Sequence, residues 1–209
     1  MADDQDIGAD LGIGAGDAAE PALGGQLIQD AALILAGLAL FGGAEAWAAA
    51  SGLLLAQVVA VGNALVAGWV ITNVLHEWGH YAGAKLARAA APRVKPPGLS
   101  FFRYRFDLEG NSLAQFTAMS LGGNLAHWGV FAAAFLLLPM ATATPAQSGF
   151  VAATFAFAVF ASVIEWPIIV RTNWGGLQPS KAFAHINRTF IRGRYLVGGI
   201  GGVVFLVVA

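Results

Sequence analysis

Ala64-Leu65-Val66-Ala67-Gly68-Trp69-Val70-Ile71-Thr72-Asn73-Val74-Leu75-His76-Glu77-Trp78-Gly79-His80 is the stretch that decides how this chain is read. It closes an apolar run over residues 47–75 that holds no Asp, Glu, Lys or Arg, and it ends in an H-E-x-x-H signature. The run exceeds the ~20 residues a helix needs to cross a bilayer, so the signature stands on a membrane helix. There His76 and His80 lie four residues apart, one turn from each other on one face, and both imidazoles can reach a single metal ion. Glu77 is the neighbouring carboxylate able to take a proton from water beside that ion. Ionisable groups at the end of an apolar span are hard to explain as packing, because each costs free energy in hydrocarbon. The plain alternative is a polar cluster in which Glu77 bridges the two histidines and seals a helix interface.

The surrounding composition supports the membrane reading. Of 209 residues, 57% are hydrophobic and only 11% charged, far from the balance of a soluble domain. Apolar stretches at 26–42, 113–139, 149–170 and 195–209 join the 47–75 run, predicting an all-α polytopic membrane protein with about five transmembrane helices. The first and last are short by that measure. Residues 1–25 carry Asp3, Asp4, Asp6, Asp10, Asp17 and Glu20 with no Lys or Arg, which predicts a disordered acidic tail ahead of a membrane-embedded domain over 26–209. No basic n-region of a signal peptide is present. With no cysteine, His, carboxylate and amide oxygen are the protein ligands left for a metal, and no disulfide can form. Nothing resembles a phosphate-binding loop, a nucleophilic serine constellation or a nucleic-acid-binding pattern, so the expected surroundings are the lipid bilayer and other membrane proteins.

All 11 Lys and Arg fall in two segments, from Lys85 to Arg105 and from Arg171 to Arg194. Two spans separate them, while connections at 43–46 and 140–148 carry none. The positive-inside rule then gives a cytoplasmic N-terminus, five spans and an outside C-terminus. A bacterial inner membrane is the expected location. At ~1.5 Å rise per residue, His80 lies ~12 Å from Arg88, Glu165 ~9 Å from Arg171, and Asn124 ~16 Å into its span from Leu113. Polar groups on three spans therefore reach similar depths on the cytoplasmic side.

Between the second and third spans, residues 99–109 alternate Phe102, Tyr104, Phe106 and Leu108 against Phe101, Arg103, Arg105, Asp107 and Glu109, with Gly110-Asn111 as a turn signal. That is the period of a strand, predicting a small β-hairpin insertion. It is either an edge to which an unwound peptide adds as a strand, or an amphipathic hairpin lying on the headgroups. His127, three residues after Asn124 on one helix face, is a further ligand, a partner of a ligand, or a plain interhelical hydrogen bond. His185, among Lys181, Asn187 and Arg188, is expected in solvent. Trp166 and Trp174 bracket the end of the fourth span as interfacial anchors. Gly198 and Gly202 give the last span a small-residue face for this bundle or for a partner subunit.

Four features together resemble the site-2 protease family of intramembrane zinc metalloproteases, over residues 66–173. They are the apolar span ending in His76-Glu77-Trp78-Gly79-His80, the small residues of Tyr81-Ala82-Gly83-Ala84-Lys85, the basic hairpin-like stretch, and a third span opening with Ser120-Leu121-Gly122-Gly123-Asn124. The resemblance implies Zn2+ on His76 and His80, Glu77 as general base, and Asn124 as a site-lining or substrate-orienting amide. In that family an aspartate directly before a glycine supplies the third ligand. Here the comparable stretch reads Glu165-Trp166-Pro167, then Asn173-Trp174-Gly175-Gly176, and no Asp follows Asp107. Glu165, the one acid after Glu109, takes the ligand's place, or the chain has lost the complete site. A carboxylate inside a membrane helix costs ~2.5–3.5 kcal/mol on insertion scales, so Glu165 needs a partner.

The expected function is intramembrane zinc proteolysis of transmembrane segments of other proteins. The alternative is a non-proteolytic relative serving as structural or assembly subunit of a larger membrane complex. An ion or metal carrier is a third reading, without the internal repeat such carriers show. The purified chain should hold about one zinc through His76 and His80. Elemental analysis finding as much zinc in a His76→Ala, His80→Ala variant would refute this.

Overall fold

The computed structural model describes residues 20–94, 103–183 and 188–208. It is an all-α polytopic membrane protein. Five helices are long and apolar enough to span a bilayer: α1 (Leu23–Ser51), α2 (Leu54–Leu86), α3 (Leu113–Leu137), α4 (Pro145–Asn173) and α6 (Arg188–Val208), with a short α5 (Pro179–Phe183) before the last. Large apolar side chains such as Leu35, Leu54, Leu125, Leu136 and Val207 face outward, as a lipid-facing surface requires.

Three boundaries differ from those expected. The connection placed at 43–46 lies inside α1, which also takes Trp47, and the chain turns instead at Gly52, whose φ is 64°. In hydrocarbon a broken ladder leaves backbone groups without water to bond, so Gly42 and Gly43 do not end the helix. Gly52 does, because a left-handed residue can return its N–H to the Ala48 carbonyl. Second, α1 begins at Leu23, and Glu20 and Pro21 already bond to Arg93, so the expected tail ends earlier than residue 25; residues 1–19 lie outside the described ones. Third, the final helix is a full 21 residues.

Helix α2 is the centre of the bundle, packed on α1, α3 and α4, while α6 packs against α4. The α2–α3 crossing is made by glycine. A Cβ on Gly79 would stand 2.5 Å from the Gly122 carbonyl oxygen and 2.5 Å from the Ala126 Cβ, and one on Gly83 would strike the Ala118 carbonyl. Backbones that close are the packing mode that small residues permit where lipid supplies no hydrophobic drive. Gly198 and Gly202 do the same for α6, against Ala156, Phe160 and Ala152 of α4. The small-residue face of the last span is thus used within this chain.

Strands β1 (Arg93–Val94) and β2 (Arg103–Tyr104) form an antiparallel pair, continued by Arg105 N–H to Pro92 O and Asp107 N–H to Ala90 O. The ladder is shorter than the expected strand, whose residues 99–102 lie outside the described ones, but the alternation holds: Tyr104, Phe106 and Leu108 pack on Ala84, Phe116 and Ile168. The Asp107 carboxylate accepts from the backbone N–H groups of Gly110 and Glu109, which holds it below the usual carboxylate range. Ser112 then caps α3 in a reciprocal box with Gln115.

Gly79→Val should cost about 2 kcal/mol or more by forcing the α2–α3 crossing apart. Gly129→Ala, with open space at its Cβ, should be neutral or stabilising by about 1 kcal/mol. Thermal unfolding in detergent compares the two, and equal transition temperatures would show that the crossing tolerates a side chain.

Candidate metal centre

The glycine crossing sets the position of the first ligand helix. With α2 and α3 in backbone contact, the His80 imidazole lies flat over Gly123, where any Cβ would collide with the ring. From there His80 Nδ1 reaches the Met119 carbonyl at 2.9 Å, and His76 Nδ1 reaches the Gly123 carbonyl at 3.2 Å. A carbonyl only accepts, so both Nδ1 atoms carry the hydrogen and, in the neutral rings, both Nε2 atoms present lone pairs.

Those lone pairs converge on α4. Glu165 Oε1 stands 3.0 Å from His76 Nε2 and 3.0 Å from His80 Nε2, and the two Nε2 atoms are 3.2 Å apart. Three such atoms at these distances call for positive charge between them, from a proton on an imidazole Nε2 or from a bound cation. Ligand atoms ~2.0–2.2 Å from zinc at tetrahedral angles stand ~3.4 Å from each other, a few tenths of an ångström more than here. The donor set, two neutral imidazoles and one carboxylate, is of the kind that holds zinc with one position left open. The residues therefore fit a metal ion, and His76, His80 and Glu165 form one potential ligand group.

Around this group stands a shell that fixes its orientation. Asn124 Nδ2 donates to Glu165 Oε2 at 2.5 Å and to the Ser120 carbonyl at 3.1 Å. The Asn124 Oδ1 is buried with no hydrogen-bond partner among the described residues. His127, fully buried, places its Nδ1 3.1 Å from His76 Nδ1 and its Nε2 3.2 Å from Ser162 Oγ, which also accepts from Trp128 Nε1 at 3.0 Å. His127 thus touches a ligand from the side away from Glu165. Such partners hold a ligand's tautomer and ring plane. Pro167, two residues beyond Glu165, has no N–H to give the Val163 carbonyl, although α4 continues through it.

Glu77 does not bridge the histidines, so the polar-cluster arrangement expected as the alternative is not the one formed. Its half-buried carboxylate has no hydrogen bond or ion pair among the described residues. Tyr104 of β2 lies in its field: burial first, then the negative charges of Glu77 and Glu165, push the Tyr104 hydroxyl well above its ordinary range. On the far side of the motif, Trp78 Nε1 donates at 2.8 Å to Asp30, a buried carboxylate on α1. Trp166 and Trp174 are exposed, as interfacial anchors would be. His185 lies outside the described residues. Sequence reasoning missed Ser162, Trp128 and Asp30. Ser162 carries a usable signal, since it precedes Glu165 by three residues and shares its face; Asp30 carries another, as an acid within an apolar helix.

No family model, curated protein or solved structure matches the chain.

Glu165→Ala should remove most zinc affinity, and Asn124→Ala should weaken it about 10–100-fold by freeing the carboxylate. Asn173, whose side chain bonds Thr117 and the Ile169 carbonyl, should tolerate alanine with zinc bound as before. Chelator competition on the purified variants ranks the three, and equal affinities for native and Glu165→Ala chains would dissolve the centre.

Proposed function

We propose that this chain is an intramembrane zinc peptidase that hydrolyses membrane-spanning segments of other proteins, with the site opening toward the basic, cytoplasmic side. The observation that carries the reading is the convergence of His76 Nε2, His80 Nε2 and Glu165 Oε1 beside a carboxylate, Glu77, that has no hydrogen bond or ion pair among the described residues. Zinc held by these three residues supplies Lewis acidity for water and for a peptide carbonyl.

The remaining work falls to the protein. Glu77 accepts the proton of the attacking water on its carboxylate and returns it to the nitrogen of the leaving amine. Asn124, by holding Glu165 Oε2, keeps Oε1 turned to the histidines and so acts as a positioning residue. His127 and Ser162 secure the tautomer of His76 in the same way. The short hairpin offers strand-like backbone near Glu77, to which an unwound peptide can add.

Glu77→Gln should retain zinc and thermal stability while peptide cleavage falls by at least about 100-fold, because an amide takes no proton near neutrality. Undiminished cleavage would remove Glu77 from the mechanism. Zinc binding without any hydrolysis, together with stoichiometric co-purification of membrane partners, would favour an assembly subunit built on the same scaffold.

A further inference from the structure

Val66, Val70, Asn73 and Glu77 recur at helical spacing and make one stripe along α2. Neighbouring helices flank this stripe without covering it. On one side Trp69 packs its ring 5.1 Å from Phe157 of α4 and 6.0 Å from Tyr195 of α6. On the other, Ala67 and Ile71 meet Gly37 of α1, and Trp78 bonds Asp30. Between the flanks Val66 is 64% exposed, and Val70, Asn73 and Glu77 are each partly open.

Asn73 is the unusual member. The buried threonines of the bundle, Thr72, Thr154 and Thr172, return their hydroxyls to carbonyls of their own helices. The Asn73 amide has no hydrogen bond to any described residue, although it lies within a helix apolar enough to cross a membrane. An amide in hydrocarbon without a partner is costly, and in membrane helices such side chains normally bond across to a neighbour. Its position is one turn, ~6 Å, from Glu77. That is about two residues of an extended peptide at ~3.3 Å each.

We infer that Asn73 is a substrate-binding residue: its side-chain amide bonds the unwound backbone of the peptide lying along this stripe, about two residues from the bond that is cut. An unwound segment in lipid exposes N–H and C=O groups that water cannot reach. One asparagine offers both an acceptor and a donor to such a backbone without reading its side chains. The chemical class recognised is thus the exposed peptide unit of a locally unfolded apolar helix. The inference rests on the peptidase reading and deepens it.

The test uses the full chain in detergent and a synthetic Leu/Ala peptide of about 20 residues with a central Gly-Pro pair. A matching series carries one backbone N-methyl group at successive positions. Binding is measured by fluorescence anisotropy to the zinc-loaded Glu77→Gln chain, with and without Asn73→Leu. We expect Asn73→Leu to weaken binding about tenfold, with zinc content and unfolding temperature unchanged and with Asn73→Gln restoring part of the loss. N-methylation at one position should weaken binding to the chain bearing Asn73 and add no loss to the Asn73→Leu chain. In the chain with Glu77 intact, Asn73→Leu should raise KM and leave kcat within about twofold. Equal affinities, a methylation profile common to both chains, or no binding by any peptide would overturn the inference. Failure of the native chain to cleave a peptide that Asn73 helps to bind would instead overturn the peptidase reading alone.

Discussion

Three electron-pair donors from two helices face one another across little more than 3 Å in the interior of this bundle, and that is the constraint from which the rest follows. Both histidines spend their Nδ1 hydrogens on backbone carbonyls, so neither can relieve the repulsion while neutral. Only a positive charge in the gap makes the arrangement favourable, and a buried uncompensated carboxylate would otherwise be among the costliest groups in the chain. Positive charge at that point, a proton on an imidazole or a bound cation, would therefore stabilise the fold itself.

Holding those donors in register falls to small residues. Gly79, Gly83 and Gly122 let α2 and α3 touch at the backbone, and Gly123 leaves the space that the His80 ring fills. Carbonyls of α3 thereby become the orienting partners of imidazoles on α2. Glu165 arrives from α4, steadied by Asn124 from α3, so three helices must all be seated before the centre exists. Its integrity is a property of the bundle's packing, not of the five-residue motif.

Much of this could be read from residues alone. Apolar length gave five helices, and the absence of Lys and Arg from the true turns at Gly52 and 138–144 agrees with the pattern expected of them. His76, His80 and Glu165 were each visible as ionisable groups where hydrocarbon penalises them, and they do meet. Helix ends were less visible, because glycine alone does not mark one: the helix runs through Gly42 and Gly43 and ends at Gly52. The role of Asn124 was only partly visible: the residue was expected to line the site or orient substrate, and the bond from its Nδ2 to Glu165 was not foreseen. Side-chain direction across an interface depends on crossing geometry, which no single helix encodes. The same limit concealed Ser162, whose hydroxyl matters only once α3 lies beside it.

The complete lack of thiolates around the centre has a practical consequence. Two imidazoles and one carboxylate form a borderline-to-hard set whose divalent affinities follow the general order rising from manganese to copper, so cobalt(II) should enter where zinc does. Cobalt in a four-coordinate nitrogen and oxygen environment absorbs visible light. A protein without cysteine has no competing sulfur-to-metal bands, so its colour would report coordination number directly, inside a membrane, as other molecules come and go.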